Sequence, residues 1–202
     1  MRYADLAQHD GRGHMAAPSK RALKDQRSRI IGLALTGTDR DVPQLREALA
    51  SPDRETRTSA TIALGRIGTA RSIDALIDSL KVADSGVLMV AAHELVRLGE
   101  VRAIPALELT LIERGDELDS PIGKQALVAT LGGFAQRSSV PALAGRLTDA
   151  DRVTRKRAAN ALRRINYPES RAALEQASRE LSYWRGRWVR RALRSMKRRL
   201  AE

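Results

Sequence analysis

Between residues 20 and 180 the apolar positions recur with the 3-4-3 spacing of amphipathic helices, grouped in pairs that are separated by tight turns. The clearest pair runs from residue 53 to residue 80. Ala60, Ala63, Leu64 and Ile67 share one face of a first helix. Asp53 is its natural N-cap, because the carboxylate can accept amide hydrogens left unpaired in the first turn. Gly68 is expected to stop that helix in the left-handed conformation, which glycine adopts without strain. Ile73, Leu76, Ile77 and Leu80 then form the stripe of a second helix, over 71–80, packed back on the first.

Copies of the unit align on the residue that ends the first helix. Gly37, Gly68, Gly99, Ala135 and Asn166 occupy that position, at intervals of 31, 31, 36 and 31 residues. The second helices give the same register independently. Val42, Ile73, Ile104 and Val140 align, as do Leu45, Leu76, Leu107, Leu143 and Leu174, and then Leu49, Leu80, Leu111 and Leu147. Pro43, Pro105 and Pro141 recur in the first turn of these helices, where a missing N–H costs nothing. A constant period of this size is the signature of a helical solenoid.

The opening repeat is irregular. Its first helix is expected over 20–35, with Leu23, Ile30, Ile31, Leu33, Ala34 and Leu35 as the apolar side, and its second over 39–49. Further first helices are expected over 84–99, from Ser120 and Pro121 onward, and over 151–165, with second helices over 101–114 and 168–179.

The run ATIALGRIG at 60–68, followed by IDAL at 73–76, resembles the HEAT repeats, in particular the short PBS-lyase-type or HEAT-like variant. So does AANALRRI at 158–165, with Asp53 and Arg57, and again Asp151 and Arg155, set before these runs. The resemblance implies an all-α fold: a right-handed α-α superhelix of about five two-helix repeats over 20–180, followed by a C-terminal capping helix. It also implies that Asp53/Arg57 and Asp151/Arg155 tie one repeat to the next, by an ion pair four residues apart or a bridge to the neighbour. For function it implies little, since such repeats serve as protein scaffolds, nucleic-acid binders and, more rarely, enzymes.

Composition bounds the rest. Apolar residues make up 43% of the 202 positions, enough for a continuous helical core. With no cysteine, the chain has no disulfide and no thiolate ligand or nucleophile. Residues 1–19 lack the apolar run of a signal peptide and any helical period, so they read as a flexible tail, and no stretch is long enough to span a membrane. A cytoplasmic location is expected. The formal charge of +12 is unevenly placed. Residues 1–100 carry net +2 and 101–150 net −1, whereas 151–202 carry net +11.

Few residues suggest chemistry. His9, Asp10 and His14 have ligating side chains but nothing to pre-organise them, so they read as solvated. His93 and Glu94 form the one His-Glu pair. Deoxyhypusine hydroxylase, another HEAT-like protein, holds two irons with such pairs in several repeats. Here the positions matching His93 are Ile62, Ala129 and Asn160, so that centre has no second pair, and His93 is expected to be packed or capping. The longer interval before Ala135 places a five-residue insertion in the acidic segment 113–119, read as a solvated turn with partner binding as the alternative. Gly132 and Gly133 are weak helix formers that could bend their helix, and they lack the strand and lysine of a phosphate-cradling loop. No cofactor, metal or acid/base constellation is expected.

Residues 181–200 leave the repeat and form a strongly amphipathic pattern. Leu181, Trp184, Trp188, Val189, Ala192, Leu193, Met196 and Leu200 fill one half of a helix, expected to cap the last repeat with both tryptophans on the buried face. Arg187, Arg190, Arg191, Arg194, Lys197 and Arg198 fill the other half, with Tyr183 among them. Together with Arg152, Lys156, Arg157, Arg163 and Arg164 of the preceding repeat they form a face for an anionic partner, a nucleic acid or an acidic protein. The expected function is a non-catalytic scaffold that holds a protein partner on its concave face, where Glu47, Arg71, Asp74, Asp78 and Glu108 mix both signs, and an anionic partner at the Arg-rich end. The alternative is a nucleic-acid binder using the basic last quarter, and after it an enzyme resembling the bilin lyases or the HEAT-like DNA glycosylases.

Overall fold

The computed structural model describes residues 19–81, 84–118 and 120–199, which are all-helical, with eleven α-helices and no strand among them. Residues 1–18, including His9, Asp10 and His14, lie outside the described residues, as do Asp119 and Leu200. The chain divides into two compact units, Met1–Val82 and Ala83–Glu202. The first holds α1 (Lys20–Thr36), α2 (Val42–Ala48), α3 (Arg54–Ile67) and α4 (Ala70–Ser79). The second holds α5 (Ser85–Arg97), α6 (Ile104–Arg114), α7 (Pro121–Phe134), α8 (Val140–Ala144), α9 (Arg152–Ile165), α10 (Pro168–Glu180) and α11 (Arg187–Arg199).

Within each unit, first helices pack on first helices and second on second. In the first unit α1 lies along α3 and α2 along α4. In the second, α5, α7 and α9 stack in that order, and α6, α8 and α10 likewise. The leucine row of the second helices is the centre of both cores: Leu45, Leu76, Leu107, Leu143 and Leu174 are fully buried. Small residues set the spacing of the first helices. A Cβ on Gly132 would lie 2.6 Å from Cβ of Ala161, and one on Gly123 would lie 2.9 Å from Oγ of Ser85. Helix α7 runs unbroken through Gly132 to Phe134, and the missing side chain lets α9 approach.

The helix ends follow the sequence closely. Asp53, Asp84, Ser120 and Asp151 each cap a first helix through the side chain. Gly68, Gly99, Ala135 and Asn166 all have positive φ, between 53° and 67°. Gly37 departs from the series: its φ is −64°, and a Cβ there would come within 2.3 Å of the Leu33 carbonyl oxygen, so close approach is what calls for glycine. The apolar phase of α1 also differs from the pattern. Ile30 and the amide of Gln26 are buried, Gln26 accepting from Ser51 Oγ at 3.2 Å, whereas Ile31 and Leu35 face water.

The Asp/Arg signature works by division of labour. Asp53 accepts from the amide and hydroxyl of Thr56, and Arg57 Nη1 donates to the carbonyls of Ser51 at 2.8 Å and Pro52 at 3.1 Å. The same set recurs a hundred residues on. Asp151 accepts from Thr154, and the buried Arg155 donates to the carbonyls of Asp149 at 2.6 Å and Ala150 at 2.8 Å. Each arginine thus clamps the turn that delivers its helix from the preceding repeat. Burial pushes the Asp151 carboxyl up, but bonds from Thr154 and from Gln125 Nε2 outweigh it and hold it below 3.8.

The insertion is anchored rather than loosely solvated. Arg146, buried behind α8, donates to the Leu111 carbonyl at 2.6 Å and to Asp116 at 2.7 Å. Lys124 of α7 reaches Asp116 at 3.0 Å and the buried Asp149 at 2.8 Å. Two cations and two carboxylates therefore close the extra residues onto the stack. Gly115 is part of the device, since a Cβ there would sit 3.0 Å from Arg146 Nη2 and 2.4 Å from the Leu111 oxygen.

Two outcomes are expected. Ala135 is a Cβ-bearing residue at φ 53°, a conformation that costs about 1–2 kcal/mol. Ala135→Gly should therefore raise the urea midpoint of the second unit, by about 1 kcal/mol in stability, and Gly68→Ala should lower that of the first by a similar amount. The second concerns pH. The bonds from Arg146 and then Lys124 hold the Asp116 carboxyl below 3.8. A carboxyl lowered on folding adds stability that is present above its unfolded pKa and lost as pH falls through the folded value. Burial pulls Lys124 down, yet its bonds to Asp149 and Asp116 raise it above 10.5, so its contribution is present below that value and lost as pH rises through the raised one. Asp116→Asn should lower the midpoint at neutral pH, modestly because Asp116 is largely exposed, and the difference from wild type should vanish on acidification below 3.8.

Candidate functional site

The basic end is built by α9 and α11. Helix α9 starts at the Asp151 cap and ends at Asn166, whose φ of 55° a short amide side chain tolerates. Its buried face includes three alanines, Ala158, Ala159 and Ala161, which bring neighbouring backbones close. Helix α11 lays Val189, Ala192 and Met196 against α9 and α10 and buries all three. This closes the last repeat, and it turns the arginines of α11 outward.

Where the polar edges of the two helices face each other they line an open groove of about 430 Å³. Lys156, Asn160 and Arg163 come from α9; Trp188, Arg191, Ala192 and Ser195 come from α11. Trp188 is half-buried and has a cation on either hand, Lys156 Nζ at 4.9 Å and Arg187 Cζ at 4.8 Å from the ring centroid. Its buried Nε1–H has no acceptor among the described residues. No Asp or Glu occurs from residue 152 to 168 or from 181 to 201. The cations of the groove are thus gathered without local neutralisation, which raises the positive potential between low-dielectric walls.

The sequence-predicted basic residues fall into three groups. Lys156 and Arg163 line the groove from α9 and Arg191 answers them from α11, while Arg152 is exposed four residues before Lys156. Arg164, Arg194, Lys197 and Arg198 are exposed, and none of these four is ion-paired among the described residues. Arg157, Arg187 and Arg190 have other partners. Arg157 Nη1 donates to the Gln125 carbonyl at 2.9 Å, which ties α9 to α7, and Arg187 lies on Trp188. Arg190 folds back, donating to the carbonyls of Ser182 and Tyr183, with Cζ 5.2 Å from the centre of the Tyr183 ring.

The turn before α11 differs from the expected helix. The helix opens at Arg187, because Gly186 and the Arg190 guanidinium that covers it hold residues 182–186 in a turn. Trp184 is consequently not on the capping face. It is 75% exposed, beside Tyr183 at 73%, with ring centroids 5.5 Å apart and planes crossing at 83°. Asn160 and Ser195 were also absent from the expected site, although each lies four residues after a cation on the same face, Lys156 and Arg191, and that spacing could have revealed them.

Elsewhere the candidate side chains serve the fold. Glu94 is buried and clamped by Arg97 at 2.7 Å, while His93 is exposed beside it rather than packed. Among the described residues no three His, Asp or Glu side chains come together as metal ligands, and no helix is long and apolar enough to cross a membrane. Many charges of the second helices join one repeat to the next. Arg46 pairs with Asp78 at 2.9 Å, Thr69 donates to Asp39 at 2.6 Å, and Ser138 and Ser139 donate to Glu108 at 2.9 and 2.7 Å. The Arg46 bond is the main reason that the Asp78 carboxyl lies below 3.8.

Comparison with known families matches the model for HEAT repeats to residues 23–87, 42–116 and 109–194. Among solved structures, an engineered protein is similar at 23% identity and a TM-score of 0.49, over 88% of this chain and 90% of the other. A designed armadillo repeat protein is similar at 17% identity and 0.48, over 89% and 95%. Human deoxyhypusine hydroxylase in complex with glycerol is similar at 20% and 0.36, over 85% and 77%. Curated protein sequences give no significant match.

Proposed function

The chain belongs to the HEAT-repeat family, and from that premise we propose that it is a non-catalytic binding scaffold whose Arg-rich C-terminal face engages an anionic partner. The repeat body supplies the support, and α11 both closes the stack and displays the cations. One observation carries the reading. Arg152, Arg163, Arg164, Arg191, Arg194, Lys197 and Arg198 are gathered on two adjacent helices, and none of them is ion-paired among the described residues. Several charges elsewhere in the fold are matched within it, as with Arg46 and Asp78 or Lys124 and Asp149. A cluster left unmatched is costly through self-repulsion unless something anionic covers it. A protein partner across the second helices is a compatible second engagement, supported by the exposed Leu109 and Ile112 of α6.

Heparin serves as a generic linear polyanion for the test. Full-length protein should bind it with an affinity that falls steeply as salt rises, since each cation–anion pairing releases counterions. A variant with Arg163, Arg191, Arg194 and Arg198 changed to glutamine should show a shallower slope and elute earlier from a heparin column. These side chains are at the surface, so an unchanged circular dichroism spectrum is expected. Passage of the wild-type protein through the column at low salt would sink the proposal.

A further inference from the structure

We infer that the anionic partner is single-stranded nucleic acid, held by its phosphates along the α9/α11 groove and by its bases on the aromatic turn at Tyr183 and Trp184. The inference rests on the basic face proposed above and adds an observation independent of it. Two large aromatic rings stand in water next to the start of α11, and neither contributes to the core. Leaving a tryptophan and a tyrosine exposed forgoes the stabilisation that burial would give. The turn is nonetheless firmly made. Gly186 N–H donates to the Ser182 carbonyl at 2.9 Å, and Arg190 ties down two carbonyls of the same turn. A Cβ on Gly186 would lie 2.8 Å from Arg190 Nη1, so the guanidinium packs directly over the glycine.

Geometry assigns the roles. Arg190 covers one face of Tyr183, and the 83° crossing leaves Trp184 with a ring plane of its own. Trp184 is therefore the stacking platform and Tyr183 its edge support. Arg187, three residues later, begins the run of cations that continues through Arg191, Arg194 and Arg198 along α11. Lys156 and Arg163 face Arg191 across the groove, where Asn160 and Ser195 add hydrogen-bonding groups suited to phosphate or sugar oxygens.

This alternation of aromatic surface and unmatched cations fits a polymer that alternates flat bases with phosphates. A duplex can use the cations, but its base faces are occupied by stacking, so it gains nothing from Trp184. An acidic polypeptide can also use the cations and has no repeated ring to stack. A membrane surface is a poorer fit, because the apolar face of α11 is already occupied by α9 and α10 and only two rings are left to insert.

The test is a set of titrations with the full chain. The probes are a fluorescein-labelled oligonucleotide of about 12 nucleotides, the same sequence as duplex, polyglutamate, and phosphatidylserine vesicles. The single strand should bind more tightly than the duplex. Trp184→Ala should weaken single-strand binding by roughly tenfold, leave duplex binding unchanged, and be rescued by Trp184→Phe. Arg163→Gln with Arg191→Gln should weaken both nucleic acids and flatten the single-strand salt slope by about 0.7 for each phosphate that is no longer neutralised. Equal binding of both forms with Trp184→Ala silent would overturn the inference and leave the basic-face reading standing. Preference for polyglutamate or for vesicles would overturn it in favour of that partner. Failure to bind any of the four probes would overturn both readings together.

Discussion

A helix pair of this kind cannot bury its apolar face alone, and that incompleteness governs the structure. Leu107, Leu143 and Leu174 are fully buried because α6, α8 and α10 each cover the next. The first helices meet the same need by close approach, with Gly132 against Ala161 and Gly123 against Ser85. The requirement does not end with the last repeat. Helix α9 would present its alanines and Leu162 to water if nothing followed, and α11 supplies Val189, Ala192 and Met196 instead. Helix α11 packs one side on α9 and α10, and its other side carries the charge. The basic face is thus a consequence of how the stack is closed.

The polar side chains obey the same period. Bonds between residues 30 to 32 positions apart join Arg46 to Asp78, Thr69 to Asp39, Ser139 to Glu108, Arg146 to Asp116 and Arg157 to Gln125. Single exposed pairs contribute little to stability. Their uniform spacing, one repeat apart, fixes register more than it adds strength. The clamp by Arg57, and again by Arg155, fixes the turns in which register could otherwise slip. Arg164, Arg194, Lys197 and Arg198 take no part in these bonds, and none of the four is ion-paired among the described residues.

Local signals were the ones that could be read from the sequence. Caps at Asp53, Asp84, Ser120 and Asp151 depend on a few consecutive residues, and the structure places helix starts after each. The left-handed ends at Gly68, Gly99, Ala135 and Asn166 were legible even where the residue is not glycine, because the period carried the position. What was missed depends on neighbours. The phase of α1 is set by α3 and by the Gln26–Ser51 bond, and no periodicity within 20–35 contains that. Asp116 looked like a solvated acid because its partners Lys124 and Arg146 are 8 and 30 residues away. At the basic end, a 100° projection assumes that the helix already exists at residue 181. Gly186 ends that assumption, and Trp184 leaves the core with it.

That displacement changes which side chains the last helix and its turn leave in solvent. Had the helix begun at residue 181, both tryptophans would have been packing residues and the cations alone would face solvent. Starting at Arg187 divides their roles: Trp188 stays half-buried under Lys156 and Arg187, and Trp184 stands clear with Tyr183. A cap needs only Val189, Ala192 and Met196 to do its structural work. The aromatic turn, the Gly186–Arg190 contact that holds it and the acid-free stretch from 181 to 201 go beyond that need. Features in excess of folding requirements, converging at one end of one helix, are where binding is best sought.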